Sequence, residues 1–160
     1  MGTKHAKMVL ILLSVGLLVA LLGCSEPKEE RLTGDKPPLP SVTVEQTAIE
    51  VVRASYCWST ACVDTIGPPE ILGDRVPTTV APHSKITITF DYRPQPTTLS
   101  LSRISSENYE ASTEVKVRKG SFEAPGEPGV YYYSMLVHWL SKDRKFTRGD
   151  SYYAFGIEVR

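Results

Sequence analysis

From Ser41 onward the chain alternates apolar and polar positions with a period of two, and helical spacing is hard to find. Ile86, Ile88, Phe90 and Tyr92 alternate with Lys85, Thr87, Thr89 and Asp91, which predicts a strand with one buried and one wet face. Leu99 and Leu101 alternate with serines, and Val115 and Val117 with Glu114, Lys116 and Arg118. Val42 and Val44 open the series, and a β-branched run from Ile49 to Tyr56 follows. Val130 to Leu140 is apolar on one face through Tyr131, Tyr133, Met135, Val137 and Trp139, and largely apolar on the other through Val130, Tyr132, Leu136 and Leu140. That pattern predicts a central strand covered on both faces. Tyr153, Phe155, Ile157 and Val159 predict the last strand. Seven or eight strands in about 120 residues, punctuated by Pro, Gly, Asn and Asp, predict an all-β antiparallel sandwich over residues 41–160.

The segment from Phe122 through Pro125-Gly126-Glu127-Pro128-Gly129 to Tyr131-Tyr132-Tyr133 resembles the turn into the penultimate strand of bacterial immunoglobulin-like domains. The resemblance implies an immunoglobulin-like plan. It also implies a tyrosine whose ring is buried while its hydroxyl reaches back to the backbone, as in a tyrosine corner.

The first 40 residues have a different character. Lys4, His5 and Lys7 precede fifteen uncharged residues, Met8 to Leu22, too few for a comfortable membrane span. A basic start, an apolar stretch and a small residue before Cys24 make the layout of an export signal. Leu21-Leu22-Gly23-Cys24 resembles the lipobox of bacterial lipoproteins, with Leu22 a less usual residue at its place. The resemblance implies cleavage after residue 23, diacylglyceryl and acyl (palmitate-type) modification at Cys24, and anchoring on the extracytoplasmic face of the cell membrane. Two acyl chains suffice for such an anchor. Glu26 to Pro40 holds four prolines and seven charged residues and offers little to bury, so residues 24–40 are expected to be a flexible spacer.

At 41% hydrophobic and 22% charged, the composition suits a packed domain. Losing Lys4 and Lys7 with the signal takes the formal charge from 0 to −2, which argues against a nucleic-acid partner.

Export would put Cys57 and Cys62 in an oxidising compartment, where a pair of cysteines usually bonds. A disulfide would pin the loop leaving the Ile49–Tyr56 strand. Two other uses stay open. Trp58 beside Cys57 suggests redox chemistry, although thioredoxin-like sites place Cys-x-x-Cys at a helix start. Reduced thiolates with His83, His138 or Met135 would suit copper or zinc, although those residues are remote in sequence. Tyr-Cys-Trp followed by Cys-Val-Asp and Gly-Pro-Pro resembles small lipoproteins of Gram-positive bacteria, loosely through residues 50–160. That resemblance implies a surface-anchored sandwich and brings no catalytic residue with it.

No Gly-x-Ser-x-Gly, phosphate-binding glycine loop or local Ser/His/Asp set occurs, and no cofactor or metal is expected. Trp58, Tyr132 and Tyr152 are candidates for a binding surface. The Pro- and Gly-rich stretch Asp64–Pro82 is a candidate inhibitory loop, and Lys142, Asp143, Arg144, Lys145 and Arg148 form a basic hairpin end. These features predict a lipid-anchored, non-enzymatic module that binds an envelope protein, peptide or glycan. Redox or metal handling through Cys57 and Cys62 is the alternative.

Overall fold

The computed structural model describes residues 30–106 and 108–160. The signal segment 1–23 and Cys24 lie outside the described residues. Among the described residues the chain forms eleven strands and one 3-10 turn, Glu70–Leu72. The strands are β1 (Ser41–Val44), β2 (Thr47–Ile49), β3 (Val52–Trp58), β4 (Ala61–Val63), β5 (Thr78–Val80), β6 (Lys85–Thr89), β7 (Thr98–Ser105), β8 (Asn108–Val115), β9 (Ser121–Glu123), β10 (Gly129–Leu140) and β11 (Thr147–Val159). Among the described residues no helix is long and apolar enough to cross a membrane.

The fold is an all-β sandwich. One sheet runs β2-β1-β6-β9; the other runs β4-β3-β11-β10-β7-β8, with β5 added parallel to β11. The order β1-β6-β9 against β8-β7-β10-β11 is a Greek key: β1 and β6, β6 and β9, and β7 and β10 are neighbours in their sheets but not along the chain. The core forms where the period-two faces meet. Val42, Val44, Ile86, Ile88 and Phe122 come from the small sheet. Leu101, Tyr133, Met135, Val137, Trp139, Phe155, Ile157 and Val159 come from the large one. Each large apolar side chain so buried contributes roughly 1.5–3 kcal/mol.

Three sequence expectations change. The run Ile49 to Tyr56 is two strands in different sheets: β2 pairs β1, the chain crosses at Glu50-Val51, and β3 pairs β11. β10 is central in its sheet, but its outward residues are only half-buried, so it is covered fully on one face. Residues 30–40 are no free spacer. Pro37 and Pro40 are buried and Leu32 packs on the core. The carbonyls of Gly34 and Pro38 accept hydrogen bonds from Trp58 Nε1 at 3.1 Å and Tyr153 Oη at 2.5 Å. Thr33 is bonded through both its N–H and its carbonyl to the Tyr92 hydroxyl. Among the described residues the packed body therefore extends ahead of Ser41, and the strap 30–40 closes over Trp58 and Tyr92, whose rings pack edge-on around Trp139.

Candidate functional site

A cleft opens between the two sheets at the side where β8 edges one and β9 the other. The chain crosses from sheet to sheet here, through Lys116–Gly120. Gly120 has φ +72°, and a Cβ there would stand 3.0 Å from the Ile88 carbonyl, so the turn needs glycine. The groove measures about 550 Å³, the size of a small-ligand or short-peptide site.

Arg103 forms its floor. In β7 it stands in phase with Leu99 and Leu101 and directly opposite Tyr133 of β10. Its guanidinium therefore occupies the inner face of the sheet, where the two preceding in-phase positions carry leucine. The guanidinium carbon lies 5.3 Å from the centre of the Tyr131 ring, a cation–π contact worth roughly 0.5–2 kcal/mol. Tyr131 is fixed in turn by its hydroxyl, which donates to the Glu127 carbonyl at 3.0 Å. This is the buried tyrosine bonded back to the Pro/Gly turn that the sequence resemblance implied.

Tyr133 is fully buried, stacked on Phe155 at 4.8 Å and tilted against Phe122 at 5.2 Å. Its hydroxyl lacks a hydrogen-bond partner of good geometry. Burial pushes its ionisation well above the ordinary tyrosine range, and the nearby Arg103 guanidinium opposes that shift only in part. Lys85, Lys116 and Arg118 join Arg103 around the groove, against Glu114 and Glu123, while Val115 and Phe122 supply apolar wall. Four cations against two carboxylates leave an excess of positive charge above a partly apolar floor. Such a site favours an anionic ligand with apolar groups of its own.

The residues singled out from sequence lie elsewhere. Trp58 is only 1% exposed, its ring held by Trp139, Tyr92 and the strap, so it belongs to the core and not to a binding surface. Tyr132 and Tyr152 do share the outer face of the large sheet, but they pair with Gly156 and Leu136 respectively and sit four residues apart along it. Tyr132 lies beside Pro77 and Gly156, and Tyr152 is exposed. The two do not form one patch. The Asp64–Pro82 stretch lies along the body: Leu72 is buried, Asp64 and Thr65 are bonded to Ser55, and Thr78–Val80 joins the sheet.

Cys57 and Cys62 are disulfide-bonded, directly opposite each other in the β3–β4 hairpin. The bond pins the chain as it leaves β3, at the sheet edge opposite the groove. Among the described residues no three His, Cys, Asp or Glu gather as for a metal ion. His138 Nδ1 pairs with Thr98 Oγ1 at 3.2 Å, and the exposed His83 has its ring over Gly126.

Arg103 was missed in the sequence because only the leucines of its strand drew notice. The signal was present: a cation in the inward phase of Leu99-x-Leu101-x-Arg103. No protein-family model matches the chain, and no curated protein or solved structure matches it either.

Proposed function

We propose that the chain is an extracytoplasmic lipoprotein, anchored to the cell membrane through Cys24, whose sandwich is a non-enzymatic binding module for an acidic peptide segment of an envelope protein. The observation that carries the binding half is Arg103, an inward-phase cation held over Tyr131 at the floor of a groove ringed by Lys85, Lys116 and Arg118. β9 ends its sheet beside the same groove, but Arg118 already pairs with the N–H and carbonyl of Ser121, so recognition rests on the groove's side chains. A peptide supplies carboxylates for the cations and aliphatic groups for Phe122 and Val115. The anchor half rests on the lipobox resemblance at Leu21–Cys24.

The test is calorimetric titration with a short peptide alternating glutamate and valine. The reading predicts saturable binding that weakens with salt. Arg103→Gln should lower affinity about 10- to 100-fold, the range of a charge-assisted hydrogen bond, while Tyr152→Ala leaves it unchanged. Absence of binding, or equal affinity in the Arg103 variant, overturns it. A glycan or other anion that binds where the peptide does not would keep the groove and replace the ligand class.

A further inference from the structure

The β10–β11 hairpin carries a tip built unlike the rest of the surface. Between Leu140 and Thr147 the chain folds on itself through Ser141. The Ser141 N–H donates to the Phe146 carbonyl at 2.8 Å, and the Phe146 N–H to Ser141 Oγ at 3.1 Å. The Asp143 carboxylate accepts from the Ser141 hydroxyl at 2.6 Å and the Lys145 N–H at 3.1 Å, with the Lys145 ammonium 3.7 Å away. The one acidic side chain of the tip is thus engaged inside the turn. Around it stand Lys142, Arg144, Lys145 and, at the foot, Arg148, with Phe146 68% exposed among them. An aromatic ring on a braced turn, set among cations, matches a lipid interface: the ring enters the headgroup layer and the cations meet anionic lipid.

The chain itself brings the membrane to this place. In the strap, the Glu30 carbonyl accepts from the Arg148 guanidinium. Arg148 is two residues from Phe146. Covalent geometry limits Cys24 to about 22 Å from Glu30, whatever path residues 24–29 take. That link carries Glu26, Lys28 and Glu29 and so adds no net attraction of its own. We infer that the Lys142–Arg148 hairpin tip docks on the anionic bilayer surface beside the Cys24 anchor, with Phe146 inserted at headgroup depth. The inference rests on the anchor reading above. It also orients the domain. Tyr133, opposite Arg103, is seven residues up β10 from Leu140, so the groove stands roughly 23 Å above the tip.

The experiment uses the exported protein purified from membranes and reconstituted in vesicles, with Phe146→Trp as the probe. Trp58 and Trp139 are both sealed in the core and respond little to quenchers in the lipid. Brominated lipids should quench the added tryptophan in phosphatidylglycerol-containing vesicles and much less in pure phosphatidylcholine. Adding Lys142→Gln or Lys145→Gln should weaken docking about fivefold each, and high salt should reverse it. The mass of the N-terminal peptide is measured on the same sample. A lipidated protein whose added tryptophan stays unquenched overturns the docking and leaves the anchor intact. An unmodified Cys24 overturns the anchor and takes the docking inference with it. Quenching that is equal in both kinds of vesicle, or present only when a second protein is added, also overturns it.

Discussion

Tyr133 and Tyr153 lie on neighbouring strands, both at 0% exposure, and offer a matched pair of substitutions. Replacing either with phenylalanine keeps the ring and removes one oxygen. At Tyr153 that oxygen donates to the Pro38 carbonyl and holds the strap, so its loss should cost about 1–1.5 kcal/mol. At Tyr133 the oxygen is buried without a well-placed partner, so its removal deletes a desolvated polar group. The stacking on Phe155 and the contact with Phe122 persist. Tyr133→Phe should therefore be neutral or stabilising by up to about 1 kcal/mol. Urea denaturation separates the two: with an m value of roughly 1–2 kcal/mol/M, the midpoints should differ by about 1 M. Tyr133→Phe should also weaken acidic-peptide binding, because the hydroxyl sits beside Arg103 at the groove floor, giving a gain in stability with a loss of function. Equal destabilisation in the two variants, or a larger loss at Tyr133, would refute the reasoning.

Three further outcomes follow from the same geometry. Gly149→Ala places a Cβ 2.6 Å from the Trp58 ring and 2.9 Å from Leu32, so it should destabilise by roughly 1–3 kcal/mol and expose the strap to proteolysis, read by limited digestion. Burial pushes Tyr153 up to about 12 and Tyr133 higher still, so the native state keeps protons that the unfolded chain loses near pH 10. Stability should hold up to about pH 10 and fall by roughly 2 kcal/mol per tyrosine toward pH 12; a flat melting profile across that window contradicts it. Cys57→Ser with Cys62→Ser should cost no more than about 2 kcal/mol, since the bonded loop is short, and should leave peptide affinity unchanged.

Much of the body was legible because burial alternates with the pleat. The faces of β6, β7, β10 and β11 follow directly from their residues. The break between β2 and β3 was not legible, since an apolar β-branched run looks the same whether it stays in one sheet or switches. Residues 30–40 look like a spacer in sequence for a different physical reason. Composition weighs side chains, whereas residues 30–40 dock largely through the carbonyls of Thr33, Gly34 and Pro38, taken by aromatic donors far along the chain. Trp58 is a surface candidate by sequence alone, but adjacent residues of a strand face opposite ways, and at Cys57-Trp58 it is the tryptophan that faces in. The groove escaped notice because its members come from β6, β7, β8 and β9, and only the Greek key brings them to one side.

The proposed meeting place of this protein and its partner is the cationic gap between β8 and β9. Nitrogen-15 spectra of the protein during titration with the glutamate-valine peptide test it most directly, with the Arg103 Nε–H resonance as the reporter. The account predicts saturable shifts in Arg103, Lys116 and the Ser121–Glu123 backbone, with Tyr132 and Tyr152 still. Shifts confined to the outer face around Tyr152, or none near Arg103 at saturating peptide, would contradict it.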